Sequence, residues 1–268
     1  LAKAVYKKTT VIEPYPMEEN TIYQKAKPME FNSQAIAASC SDCRLSDLCL
    51  PYGLQKNEVK QLEMIVKNRQ SLRTNGLLYA QSEQSRYLYA VKSGSFRSYV
   101  SGINGNEQTI GFYLPGEIMG LDSLQTGCFT CSTIALETST VCTLPISRLN
   151  ELCTELPGLH YQMMRVLGKE IASDHDKILL LGHRSAKERI ATLLLMLSRR
   201  YGALGFSSTK FNLTMRRQDI ANFLGLTIET VSRQITDLCK HGVISVRGRG
   251  VQINNLDMLT AIVESHLL

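Results

Sequence analysis

Residues 217–238 read RQDIANFLGLTIETVSRQITDL. Ile220, Ala221 and Leu224 share one face of a first helix, and Val231, Ile235 and Leu238 share one face of a second. Gly225 between them supplies a tight turn, and Thr227 is placed to cap the second helix through its hydroxyl. The small Ala221 lets the two helices cross closely. This is the helix-turn-helix pattern, whose second helix enters the major groove of DNA. Downstream, Val243–Val246 and Val251–Ile253 flank Arg247-Gly248-Arg249-Gly250, which reads as a hairpin wing with its arginines toward phosphates.

The charge distribution agrees. Between His183 and Val251 there are twelve Lys and Arg against four acids, a local excess of +8 in a chain whose total is +6. A basic end on a near-neutral body points to a polyanionic partner for that end alone. On the second helix Thr227, Glu229, Thr230, Ser232 and Arg233 face outward. Arg233 has the fork that pairs with guanine O6 and N7, Glu229 accepts from cytosine N4, and Ser232 meets a base edge or a thymine methyl. An acid there costs affinity near phosphates, so it argues for direct base reading, although the helix dipole also favours an acid in a first turn. Arg216, just ahead of the first helix, belongs with Thr227, Glu229, Ser232, Arg233, Arg247 and Arg249 in the expected DNA-contacting set.

Upstream lies a longer periodic segment at about 159–182. Its apolar seam runs Met164, Leu167, Ile171, Asp174, Ile178, Leu181, with the alternating three-and-four spacing of a coiled coil. It predicts a dimerisation helix. A short helix at 147–156 precedes it, closed by Pro157-Gly158, and another at about 186–201 follows. From about 72 to 146 short β-rich runs (Leu88–Val91, Phe96–Val100, Gln108–Leu114, Thr140–Leu144) alternate with glycines, as in a small antiparallel sandwich or roll. Residues 55–68 carry a helical stripe of Val59, Leu62, Ile65 and Val66, and residues 1–36 read as a flexible tail broken by Pro14, Pro16 and Pro28. The expected fold is α+β, with a tail at 1–36, a cysteine-rich segment and roll at 37–158, the dimer helix at 159–182 and a winged helix-turn-helix at 183–268.

Cys40-x2-Cys43-x5-Cys49 packs three thiols into ten residues of a chain with eight cysteines. The opening residues show no charged-then-apolar leader, and no run approaches the ~18 apolar residues of a membrane span, so a cytoplasmic setting without a disulfide framework is expected. Three clustered thiolates with a remote fourth suit an iron–sulfur cluster; zinc and unliganded reactive thiols remain alternatives. Cys142, on the last strand of the roll, and Cys128 and Cys131, on a loop, compete for the fourth position.

Taken together, SCSDCRLSDLCLP (39–51), LYAVKSGSFRSY (88–99), GNEQTIGFYLPGEIMG (105–120), ALETSTVCTLP (135–145) and GLTIETVSR (225–233) resemble the cAMP receptor protein/FNR superfamily, and within it the fumarate and nitrate reduction regulators. The resemblance covers about residues 38–255. It implies a roll like that of cyclic-nucleotide-binding domains and a [4Fe-4S] cluster on Cys40, Cys43, Cys49 and Cys142. It also implies loss of that cluster to molecular oxygen, operators of the TTGAT-N4-ATCAA type, and RNA polymerase as a partner near Gly102–Glu107 and Gly202–Thr209. The tail is longer than usual and Arg44 beside the cysteines departs from the familiar pattern, which bears on how fast oxygen acts.

Two features refine these expectations. A cyclic nucleotide needs a cation for its phosphate, yet no Lys or Arg occurs from Ser98 to Ser147, so no cyclic nucleotide is expected. Asp174 stands in the seam, where a parallel dimer sets two carboxylates face to face. Their repulsion is a brake on dimerisation that cluster assembly overcomes; the bland alternative is that Asp174 splays outward. No phosphate loop, nucleophile elbow or zinc-protease motif is present, so no enzyme is expected.

Overall fold

The computed structural model describes residues 39–102, 104–182 and 184–264; the expected tail at 1–36 lies outside them. After a short 3-10 turn at Ser46–Leu48, helix α1 (Lys56–Ile65) leads into eight strands. These are β1 (Lys67–Leu72), β2 (Leu77–Tyr79), β3 (Tyr87–Ser93), β4 (Phe96–Ser101), β5 (Glu107–Tyr113), β6 (Ile118–Met119), β7 (Ser132–Ala135) and β8 (Ser139–Pro145). They form two four-stranded sheets, ordered β1-β8-β3-β6 and β2-β7-β4-β5, antiparallel throughout. Phe96, Met119, Phe129, Val141 and the stacked rings of Tyr79 and Phe129 fill the interior between them. This is the roll that the alternating runs predict.

Helix α2 (Ile146–Glu155) and the long α3 (Pro157–Gly182) follow. Pro157 opens α3 rather than closing α2, which corrects the expected boundary. The first position of a helix needs no N–H donor, and proline's fixed φ suits it. Leu149, Leu152, Leu159 and Met163 from these helices pack with Leu50 and Leu62, so the cysteine-rich segment, α1 and the start of α3 share one core.

The C-terminal part holds α4 (Ala186–Ala203), β9 (Lys210–Asn212), α5 (Arg217–Leu224), α6 (Ile228–Lys240), β10 (Ile244–Arg247), β11 (Gly250–Ile253) and α7 (Leu256–Glu264). Ser185 and Glu188 form a capping box that starts α4. Gly225 ends α5 with φ +62°, a left-handed turn that glycine adopts without steric cost. The three strands form a sheet ordered β10-β11-β9, the wing. Its core (Leu193, Leu197, Ile220, Leu224, Val231, Leu238, Val251) runs on without a break into Phe112 and Leu114 of the roll. None of the helices among the described residues is long and apolar enough to cross a membrane.

Candidate metal centre and nucleic-acid interface

The 40–49 segment is coiled by backbone hydrogen bonds: Cys43 N–H to the Cys40 carbonyl (3.3 Å), Ser46 N–H to Cys43 (3.0 Å) and Leu48 N–H to Leu45 (3.0 Å). It seats on the roll at Gly116 (φ +88°), where an added Cβ would come within 2.8 Å of the Leu48 Cβ. Cys142 arrives from β8, paired with Ala90 of β3. Cys40, Cys43, Cys49 and Cys142 line one pocket, walled by apolar side chains such as Leu50, Leu62, Val66 and Leu144. Cys128 and Cys131 lie outside it; Cys131 is buried in the roll interior. No disulfide occurs among the described residues, which include all eight cysteines.

Burial, followed by the neighbouring Cys142, Glu63 and Cys43, pushes the Cys40 thiol up to about 11, with Lys92 opposing. Burial likewise pushes Cys49 up to about 12, against a lowering hydrogen bond from the Leu50 backbone. Lys92 Nζ donates to Cys43 Sγ at 2.9 Å. No three His, Cys, Asp or Glu side chains among the described residues close around a single metal ion. The donor set lining the pocket is all sulfur, gathered from two remote segments.

Along α3, Met164, Ile171, Ile178 and Leu181 are exposed, Ile171 and Ile178 at 57% and 67%, and Leu167 is half-buried. Asp174, in the same stripe, is exposed and pairs with Lys177 at 2.9 Å; Lys177 also lies 3.8 Å from Glu170. Burial raises the Glu170 carboxyl above its usual range, with Lys177 opposing.

In the helix-turn-helix, Thr227 Oγ1 accepts from Thr230 N–H at 3.2 Å and caps α6 as expected. Thr227, Glu229, Ser232 and Arg233 are exposed at its N-terminal end, while Val231, Ile235 and Leu238 are buried beneath. Arg216 is exposed before α5, and Arg247 and Arg249 are exposed at the tip of the wing.

A family model described as a Crp-like helix-turn-helix domain matches residues 188–262, and one described as a cyclic nucleotide-binding domain matches residues 69–155. The fumarate and nitrate reduction regulatory protein of Escherichia coli K12 is 40% identical over 227 residues, covering 85% of this chain and 91% of the relative. That of Salmonella typhimurium is 40% identical over 230 residues, covering 86% and 92%. The chain belongs to the fumarate and nitrate reduction regulator family. Among solved structures, FixK2 from Bradyrhizobium japonicum is similar at 30% identity and TM-score 0.68, covering 73% of this chain and 96% of that one.

As a family member the chain is a DNA-binding transcription regulator of the Crp type. In this regulator several functional groups escape sequence reading. Arg200 of α4 reaches Glu117, its Nε at 3.0 Å from Oε1, and also donates to the Phe112 carbonyl at 2.6 Å. A guanidinium therefore stands beside the acid of the roll after all, delivered from outside the 98–147 window, but it is already taken up by Glu117. Arg97 of β4 is buried, bonded to Glu107 at 2.7 Å and 3.5 Å from Asp219 of α5. The Phe112 and Phe223 rings meet at 5.1 Å across the same boundary. Lys177 was legible, three residues from Asp174 on one helix face. Lys92, Arg97 and Arg200 were not, because only the fold brings them to their partners.

Proposed function

We propose that this regulator is an oxygen-responsive, homodimeric, cytoplasmic protein whose Cys40, Cys43, Cys49 and Cys142 hold a [4Fe-4S] cluster. Its affinity for TTGAT-N4-ATCAA-like operators follows the occupancy of that site. The observation that carries this reading is the convergence of four cysteines, from 40–49 and from β8, on one apolar pocket. An all-sulfur donor set fits an iron–sulfur group. Bound there, the cluster supplies a link between the two segments that oxygen breaks. The thiols of Cys40 and Cys49 are protonated near neutral pH when unliganded, so loading the site releases protons.

The chain's own residues do the rest. The exposed stripe of α3 covers itself against a second copy, which removes large apolar side chains from water. Two α6 helices are then set about 34 Å apart, one turn of DNA. Arg233, Glu229 and Ser232 read bases, Thr227 fixes the helix start, and Arg216, Arg247 and Arg249 hold phosphates. Arg200, the guanidinium beside the roll's Glu117, is already paired with that acid, which disfavours a cyclic phosphate on it, and the roll is read as sensing no cyclic nucleotide. The segments 102–107 and 202–209, the latter running from the last turn of α4 past the exposed Phe206, are offered as contacts for RNA polymerase. No catalytic step is part of this function.

The test is iron and sulfide content of anaerobically purified protein. Wild type and Cys128→Ser are expected to carry about four irons per chain, and Cys142→Ser to lose them. Full loading of Cys142→Ser, or a colourless zinc protein, contradicts the reading.

A further inference from the structure

Gln162 stands in the second turn of α3, only 7% exposed, among apolar neighbours that include Leu159 and Met163. Its Nε2 donates to the backbone carbonyl of Cys49 at 3.2 Å, across 113 residues of sequence. The same carbonyl accepts the Tyr52 N–H at 3.2 Å. On its other side Gln162 Oε1 accepts from Arg165 Nη1 at 3.2 Å, and the Arg165 guanidinium lies 4.5 Å over the Tyr52 ring. One face of α3 therefore grips Cys49 and Tyr52, while another face of the same helix carries the exposed stripe from Met164 to Leu181.

We infer that Gln162 is the positioning residue through which the state of the Cys49 ligand reaches the dimer helix. This rests on the proposal that Cys49 holds a cluster. Cys49 has two anchors: its side chain lines the thiol pocket and its carbonyl is held by α3. With Sγ fixed, the carbonyl direction is fixed a few bonds away, and Gln162 is satisfied. With Sγ released, only the Tyr52 and Gln162 hydrogen bonds hold the carbonyl, so the buried Gln162 amide stands to lose its acceptor as the 40–49 segment loosens, a cost that α3 relieves by shifting. A glutamine does not titrate, so the link adds no pH dependence beyond that of ligand loading itself. Coupling of this kind is a difference in free energy between two states of one element, which is measurable.

The experiment uses the full-length chain carrying Gln162→Met, which keeps the length of the side chain and drops both hydrogen bonds. Iron and sulfide per chain, thermal stability, and the dimerisation constant with and without the cluster are measured by anaerobic sedimentation. Iron content is expected to stay at the wild-type value, while the ratio of the two dimerisation constants falls by roughly fivefold, the size of one net hydrogen bond. Gln162→Glu, which keeps the Arg165 contact but turns an acceptor toward the Cys49 carbonyl, is expected to give the same fall and covers the case where the methionine variant does not fold. An unchanged ratio at full iron content overturns the inference, as does a loss of iron in proportion to the loss of dimer, which would make Gln162 a wall of the pocket only. Wild-type protein without iron or sulfide would instead remove the underlying cluster proposal, a result that needs no variant.

Discussion

Single residues at this site differ in how far the sequence exposes them. Cys40, Cys43 and Cys49 declare themselves by spacing, because a thiol triplet in ten residues is unusual. Cys142 does not: an isolated cysteine in a strand reads equally as a small buried hydrophobe, and only its ALETSTVC context separated it from Cys128 and Cys131. Lys92 at Cys43, and Gln162 at Cys49, lie 49 and 113 residues from their partners, and no local pattern announces such contacts. Glu170 carries a prediction of its own. Burial raises its carboxyl, so the ionised form is disfavoured in the fold, and the stability of the folded chain falls as pH rises through the interval between the unfolded and the raised value. Glu170→Gln is therefore expected to raise the melting temperature at pH 7, with the gain shrinking as pH is lowered below the ordinary carboxylate range. A melting series from pH 7 to pH 4 checks this; a gain that grows on acidification has the wrong sign.

Among elements, α3 was the most legible, since a three-and-four spacing over several turns fits nothing but a helical stripe. Its start was misread because proline has opposite meanings inside a helix and at its first position. Strand β6, of two residues, and the pairing of β1 with β8 had no readable signal; both are set by the sheet that surrounds them. Asp174 is exposed on the stripe face of α3, and its Lys177 partner reduces the size of any brake it applies in the proposed dimer. An exposed pair at 2.9 Å partly neutralises the carboxylate, so the repulsion between two copies is expected to be small, about 1 kcal/mol or fivefold in the dimerisation constant. Asp174→Ala is expected to strengthen dimerisation in air by about that factor, and Lys177→Ala to weaken it. Sedimentation of the aerobic proteins reads both. If Asp174→Ala stays as monomeric as wild type in air, the carboxylate is no brake.

In the whole molecule the roll with its thiol pocket makes two sets of contacts with the helices that follow it. One runs from the thiol pocket through Cys49 and Gln162 into α3. The other crosses directly from the roll to the helix-turn-helix, through Arg200 on Glu117, Arg97 near Asp219 and the Phe112–Phe223 contact. The division into roll, long helix and winged reader was legible because each has its own hydrophobic period. The docking of reader on roll was not, because it rests on single long-range ion pairs and one ring contact. In the proposed function, thiol ligation controls operator binding. That control is tested most directly by measuring, with anaerobically purified protein, the affinity for a TTGAT-N4-ATCAA duplex before and after exposure to air, beside a duplex with both half-sites scrambled. The expected result is tight binding to the intact operator that collapses toward the scrambled level in air. Equal binding in both atmospheres, or in a Cys40→Ser/Cys43→Ser/Cys49→Ser variant, would contradict it.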